Sequence, residues 1–596
     1  MIINSLYRHY QNLAQQPDLN IPLPGFSVAK VSFAFVLSEE GELLNVIPLI
    51  EQQGARTIPL EMQVPEQIKR SSGIAANFLC DNSSYIIGVD NKGKPERSKQ
   101  AFEACKELHT LFLTNVDDPG ARAVSNYFSK WVTEEATEHP ALGEIMEDLL
   151  AGGNIVFRLD GQKGYVHERN RVKSAWLHHY NQNTSQENGQ CLVTGEVGPI
   201  ARLHPSIKGV RGAQSSGASL VSFNFRSSES YGKIQGNNAP VSEDVAFGYT
   251  TVLNYMLSSR RQRLQLDPNT TVVFWSERKD GGMEEDLMAE LLWPSGNTSK
   301  SDENPVDLQT VQLVHDILIR VRSGQPVDLD PAQIDLNSRF AILGLSPNAA
   351  RLSIRFWWED SFGNILTRLA MHYVDMSIVG PTQEGRPELI SVPRVLLETA
   401  PRLGGERPDP DRISPLLGGA VLRSVLGGKP YPQGLYTAII SRVRSDQIVN
   451  YVRAAIIKAC LLRKYRFQGQ QAKEVSITME LNEKNNSTAY NLGRLFAALE
   501  KAQQDATPGL NATIRDRYFG AASATPKSVF PILLRLAQHH ISKAEYGYVS
   551  DKRIEEIMAK IEVFPAHLNL DEQGEFMLGY YHQRQAFFQK TSGKEV

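Results

Sequence analysis

The chain has 596 residues, too many for one ordinary core and enough for two or three domains of common size. Its 63 Lys and Arg against 66 Asp and Glu leave a net charge of −3, which excludes a globally basic nucleic-acid binder and confines any polyanion site to a local patch. With 41% hydrophobic and 22% charged residues, disorder of the whole chain is excluded as well.

In chain order, residues 1–16 place Leu6, Tyr7, Tyr10 and Leu13 at helical spacing, interrupted by Arg8 and His9. They read as an amphipathic helix ending before Pro17, not as a signal peptide. Val31, Phe33, Phe35 and Leu37 alternate with Ser32, Ala34 and Val36, Glu40-Gly41 supplies a turn, and 43–49 returns, so a β-hairpin is predicted. Further strands are predicted at 84–89, 154–159, 270–275 and 352–358, the last with Leu352, Ile354, Phe356 and Trp358 on one face. The best-marked helix opens at Ser242 as N-cap, carries Glu243 and Asp244 at the positive end of its dipole, and stacks Val245, Tyr249, Val252 and Met256 in one stripe. Exposed loops are expected at 181–190, 294–305, 380–387 and 404–415.

After the last loop the strand signal fades. Helical stripes follow in Leu492, Leu495, Phe496 and Leu499, in Ile554, Ile557, Met558 and Ile561, and in Phe576, Tyr580 and Phe587. Thr525-Pro526 is an N-cap/N1 pair opening a helix to His540. The expected fold class is α+β: a large mixed N-terminal body with antiparallel strands, and an all-helical C-terminal bundle. The expected domains are 1–400, a helical connecting region at 401–478, and a bundle at 479–596. No repeat recurs at a fixed period.

Catalytic templates mostly fail. Cys80, Cys105, Cys191 and Cys460 form no C-x-x-C, which excludes a Cys-based zinc site, makes a disulfide framework improbable and suits a reducing cytosol. No apolar run approaches the roughly 20 residues of a membrane span. Neither H-E-x-x-H nor G-x-S-x-G occurs. Gly88 to Lys94 follows a P-loop until Pro95 stands where the metal-binding hydroxyl belongs, and a strand ending in a tight turn explains the same residues. His315-Asp316 lacks further ligands. The adjacent pairs His178-His179 and His539-His540 diverge by about 100° on a helix and cannot readily share a metal. No catalytic residue, metal or cofactor is assigned.

Three polar segments carry more information. The stretch 68–85 combines Lys69 and Arg70 with Gly73, Asn77, Asn82, Ser83, Ser84 and the aromatic Phe78. Cations bind phosphate, and Asn and Ser in a loop reach base edges in a groove; a solvated loop leading into a strand is the plain alternative. The stretch 202–217 holds Arg202, Lys208 and Arg211, no acid, and glycines that let backbone N–H groups approach a phosphate; it leads into Lys233, Gln235, Asn237 and Asn238. Residues 451–467 hold Arg453, Lys458, Arg463, Lys464 and Arg466 without an acid. They read either as a helix with snorkelling cations or as a phosphate-contacting seam.

Together these stretches resemble the large subunit of the type I-C CRISPR surveillance complex (Cascade). The matching pieces are Asn77-Phe-Leu, Asp81-Asn82, Tyr85-Ile-Ile-Gly88, Cys191-Leu-Val-Thr-Gly195, His204-Pro, and Ile207-Lys-Gly-Val210. They continue in Leu220-Val-Ser-Phe-Asn224, Glu229-Ser-Tyr-Gly232, Gln235-Gly236, Asn238-Ala-Pro-Val-Ser242, Tyr249-Thr-Thr, 343–351, Gln573-Gly and 579–583, in family order over nearly the whole chain. Ser228 departs from the pattern, where an aromatic is expected before Glu229.

The resemblance implies a non-catalytic, cytoplasmic, prokaryotic subunit without a cofactor. It would read the protospacer-adjacent motif (PAM) in target double-stranded DNA, help open the duplex and dock a recruited helicase–nuclease. Its other expected partners are the guide RNA 5′ handle, the Cascade backbone and handle-processing subunits, and the small subunit; no membrane is involved. PAM-reading candidates by position are Lys69, Arg70, Asn77, Asn82, Ser83 and Ser84. Candidates for RNA-handle, subunit or DNA-backbone contact are Arg202, Lys208, Arg211, Lys233, Gln235, Asn237 and Asn238. In this family the bundle is also made separately as the small subunit from an internal start, for which Met479 is the candidate. The alternatives are a metal-dependent nuclease using acids such as Asp81, Glu229 and Asp244, and a purely architectural subunit.

Overall fold

The computed structural model describes residues 1–588 except 17–18, 54–55, 69, 71–72, 92, 144, 183–186, 260, 280–281, 295–307, 324, 326, 328, 330–333, 381, 384–385, 388 and 403–406. The chain forms two compact units, one of residues 1–207 with 221–255 and one of 208–220 with 256–596.

The first unit begins with α1 (Ile2–Ala14), whose Leu6, Tyr10 and Leu13 are buried. It continues through β1 (Phe26–Leu37), β2 (Leu43–Pro48), β3 (Ile50–Gln53), β4 (Arg56–Pro65) and β5 (Cys80–Asp81). Then come α2 (Ser83–Ile86), α3 (Pro95–Leu113), α4 (Pro119–Lys130), α5 (Met146–Ala151), β6 (Asn154–Leu159), α6 (Asn170–Gln182), β7 (Asn188–Gln190) and β8 (Val197–Pro199). β1 is buried from Val31 to Leu37 because it is paired on both edges, antiparallel to β2 and β4 and parallel to β6. The β1–β2 pair is the predicted hairpin. On one face of this sheet Phe35 and Phe157 meet Phe102 of α3 and Phe128 of α4. Asp118 opens α4 by accepting the Gly120 and Ala121 N–H groups, with Pro119 at the first helical position.

The helix α7 (Glu243–Ser258) begins where the sequence places it, and Val245, Tyr249, Val252 and Met256 are fully buried. Gly248 lies under α1, where a β-carbon would stand 2.6 Å from the Tyr10 ring.

The second unit contains the antiparallel sheet β12-β11-β10-β9, with β9 (Arg263–Asp267), β10 (Thr270–Ser276), β11 (Arg339–Asn348) and β12 (Arg351–Ser361). Its helices are α8 (Gly282–Leu292), α9 (Leu308–Arg322), α10 (Phe362–Met376), α11 (Val392–Leu397), α12 (Leu417–Leu426), α13 (Gln433–Asp446), α14 (Tyr451–Phe467) and α15 (Gln471–Ser476). They are followed by α16 (Thr488–Ala506), α17 (Ile514–Ala522), α18 (Pro526–Lys543), α19 (Gly547–Met558) and α20 (Leu570–Phe588). From α12 onward the chain is an all-helical bundle, so the α+β class holds. α16 and α20 cross closely because Gly493 faces the Phe576 carbonyl and Gly579 faces the Tyr490 carbonyl, where β-carbons would stand 1.9 and 2.1 Å from those oxygens.

Three local expectations fail for identifiable reasons. Residues 83–86 form a short helix, not a strand, because the Asn82 side chain caps the Ser84 N–H at 3.1 Å and Gly88, at φ +77°, ends the turn. The P-loop-like stretch therefore connects two helices and follows no strand. In β12 the pairing slips by one residue, Gly344 opposing Phe356 and Leu345 opposing Ile354, so Ile354 leaves the buried face and is 45% exposed. The loop expected at 294–305 lies, beyond Pro294, outside the described residues. No helix among the described residues is long and apolar enough to cross a membrane.

Candidate nucleic-acid interface

The first polar stretch folds around a buried carboxylate. Asp81, 1% exposed at the end of β5, receives the Arg70 guanidinium on both oxygens, Nη1 at 2.9 Å and Nη2 closer still. It also accepts the backbone N–H groups of Asn77 at 2.9 Å and Asn82 at 2.8 Å. Arg70 further donates through Nε to the Ala75 carbonyl and lies 3.8 Å over the Tyr85 ring. Asn77 is buried; its Oδ1 accepts the Ile68 N–H and its Nδ2 donates to Gln67, each at 2.8 Å. Ser83 is buried and Ser84 donates to Asp90 at 3.3 Å. Lys69 lies outside the described residues.

A second bolt holds the same loop. Leu79 sits at φ +56° and its N–H donates at 2.9 Å to Nε2 of His109, whose Nδ1 donates to the Cys105 carbonyl at 2.7 Å. Burial lowers His109 to about 4, so the ring stays neutral and keeps one nitrogen as acceptor. Phe78 is thereby sandwiched between His109 and Trp176, with ring centroids 5.3 Å away on each side. The structure thus brings Arg70, Asn77 and Asn82 to one carboxylate.

The second polar stretch is divided between the two units. In the first, Arg202 is exposed, while the half-buried His204 shares a 2.7 Å hydrogen bond between Nδ1 and the Tyr249 hydroxyl. Asn238 accepts the Ser230 N–H and donates to the Lys233 and Gln235 carbonyls, and Asn237 donates to Glu187. Lys233 is exposed and Gln235, at φ +47°, half-buried. In the second unit Lys208 and Arg211 are exposed, and the Arg211 N–H donates to the Thr271 hydroxyl at 3.2 Å.

Several sequence motifs meet at the start of α7. The Cys191 sulfur accepts the Val193 N–H at 3.4 Å and the Ser242 N–H at 3.3 Å, and the Leu192 N–H donates to the Pro240 carbonyl. Burial pushes this thiol up, but the surrounding N–H donors more than offset it and hold it at about 7. A family model described as "CRISPR-associated protein (Cas_Csd1)" matches residues 6–588. The chain belongs to the Cas_Csd1 family. It is therefore a large subunit of the type I-C Cascade kind, a component of a multi-subunit CRISPR complex. No curated protein matches the chain.

The α14 cations of this Cas_Csd1 chain serve its own interior. Arg453, fully buried, pairs with Glu398 at 2.8 Å and Asp446 at 2.6 Å. Arg463 pairs with Asp375 at 2.6 Å and Arg466 with the same carboxylate at 3.1 Å; Lys464 pairs with Asp571 at 2.6 Å. Lys458 donates to the Asp375 carbonyl at 2.8 Å. The helix reading of 451–467 holds, and the phosphate reading gives way because those guanidinium groups already face carboxylates. Among the described residues no three His, Cys, Asp or Glu come together to hold a metal ion, and the four cysteines are free and buried. Sequence reasoning missed the Asp81 and His109 bolts, whose partners lie as far as 30 positions away, and it missed Tyr231, a ring 99% exposed at a loop tip.

Proposed function

We propose that this chain is the non-catalytic subunit that recognises the PAM in duplex DNA, promotes R-loop formation and offers a docking surface to the helicase–nuclease. The observation that carries this reading is the family match over 6–588. The physics agrees with it: in RNA-guided complexes base pairing reads the target, while protein reads a short motif and backbone shape. Strand exchange is nearly balanced in free energy, so modest protein–backbone contacts decide it. A chain with net charge −3 and local cations suits that task.

In this reading the 68–85 loop meets the PAM. Arg70 is locked to Asp81, Asn82 and Ser84 lie at the opening of α2, and Lys69 is assigned to the same loop by its place in the sequence. Asn77 and Ser83 support the loop from within. Arg202, Lys208, Arg211, Lys233, Gln235, Asn237 and Asn238 serve the guide-RNA handle, companion subunits or DNA backbone. The same reading keeps 1–400 as the body, 401–478 as connector and 479–596 as the part resembling the small subunit, with Met479 as an internal start. Recoding Met479 abolishes a short product if that start is used.

The deciding experiment assembles the complex with Lys69→Ala combined with Asn82→Ser, which keeps a helix-capping hydroxyl while removing the amide. Assembly is expected to persist and discrimination between PAM-bearing and PAM-free duplexes to vanish. Unchanged discrimination rejects the assignment.

A further inference from the structure

Tyr231 is 99% exposed and sits at φ +53°, followed by Gly232 at +70°. The Lys233 N–H donates to the Ser230 carbonyl at 3.0 Å, so 230–233 form a turn with positive φ at both central positions, the type I′ class that Asn and Gly fill best. A tyrosine there is strained. The turn is nonetheless over-determined. Asn238 clasps it through Ser230, Lys233 and Gln235, with three hydrogen bonds of 3.0 to 3.1 Å. Gly236 is pressed on the 201–202 backbone: its N–H donates to the Arg202 carbonyl at 3.1 Å, and a β-carbon would stand 2.2 Å from the Ala201 carbonyl oxygen. The ring adds almost no packing, yet the fold gives up stability to hold it out.

Its surroundings name a ligand. Phe225 and Ile234 are 60% and 62% exposed, and Arg202, Arg226 and Lys233 are exposed cations, against one acid, Glu229, between 225 and 235. Exposed aromatic faces interleaved with cations match a strand that carries a π-face and a phosphate at every step. Resting on the proposed function, we propose that Tyr231 is a stacking platform for an unpaired nucleobase, with Arg202, Arg226 and Lys233 on the flanking phosphates. The shared chemistry is a single strand, either displaced DNA or guide RNA.

The test uses the full chain and fluorescence anisotropy at one fixed salt concentration, with a labelled single strand of DNA, one of RNA, and a blunt duplex as probes. Tyr231→Asn suits the positive φ and removes the ring, so its melting temperature should not fall. Its affinity for single strands is expected to drop about 5- to 150-fold, while Tyr231→Trp keeps it and duplex affinity stays put. A loss confined to DNA identifies the displaced strand, and one confined to RNA the guide; either supports the proposal. It is overturned by unchanged single-strand affinity, by an equal loss on duplex, or by failed co-purification with companion subunits at normal strand affinity, which would make the ring a protein contact. None of these probes carries a paired PAM next to a guide target, so a failure here leaves the PAM comparison standing.

Discussion

Replacing Asp375 by Ala removes the carboxylate on which two α14 guanidinium groups converge. Arg466 is 38% exposed and keeps Glu474 at 2.8 Å, so its loss is small. Arg463 is 4% exposed and among the described residues retains the Ser424 and Lys429 carbonyls at 3.4 and 3.2 Å and the Tyr431 ring at 4.5 Å. At an effective dielectric of about 20, unit charges about 4 Å apart attract by about 4 kcal/mol. The buried cation keeps its desolvation penalty after the partner is gone, so the expected cost is about 3–5 kcal/mol. Urea denaturation of the purified chain, with hydrogen exchange of α10 and α14 amides, reads it. The compensated variant Asp375→Leu with Arg463→Met removes both charges and should recover most of the loss. The compensated variant should also leave the salt dependence of nucleic-acid binding unchanged. A cost below about 1 kcal/mol for Asp375→Ala, or a salt slope reduced by about 0.9 in the double variant, refutes the assignment of these cations to the interior.

Gly344→Ala in β11 would bring a β-carbon 2.2 Å from the Phe356 ring, between two paired strands that cannot easily retreat. A loss of about 1–3 kcal/mol is expected, partly rescued by Phe356→Leu; full stability in the single variant would show the ring has room. Glu285, nearly buried at the head of α8, accepts the Ser276 N–H at 3.2 Å and Gln262 Nε2 at 2.7 Å, and burial raises it from 4.5 to about 7. The folded state therefore holds this proton more tightly than the unfolded chain. Its contribution is full below about pH 4.5 and fades as pH rises through about 7, by roughly 3 kcal/mol. Glu285→Gln should flatten that fall in a denaturation series from pH 5 to 8, and an unchanged profile would assign the pH dependence elsewhere.

The elements that sequence reading located are those whose pattern is their own cause. β1 and β2 alternate around Glu40-Gly41, and α7 carries its cap and stripe within 16 residues. The segment 83–87 misled because Tyr85, Ile86 and Ile87 favour strands, whereas the outcome was decided by Asn82 and Gly88 at its ends. Both signals stand in the sequence, and they outweigh the strand propensity of the residues between them. The α14 cations were ambiguous for a different reason: their carboxylates sit at 375, 398, 446 and 571, and nothing local announces those pairings. The loop segments of the candidate interface were legible by composition. Which polar groups are consumed inside them, as with Arg70, Asn77 and Asn238, depends on a folded backbone.

The interleaving of the two units has a consequence for biosynthesis. Segment 208–220 belongs to the second unit although both its flanks belong to the first. Its Ser219 N–H waits for the Ala350 carbonyl, and its carbonyl for the Leu352 N–H, about 130 residues later in the chain. At translation speeds of about 5–20 residues per second, that strip stays without these native partners, hydrogen-bonded to water, for roughly 7–26 s after it leaves the ribosome. A single cut anywhere between 207 and 256 leaves one half missing a piece of its own architecture. Separating the two units therefore calls for excising 208–220 and rejoining it to 256–596, not truncation.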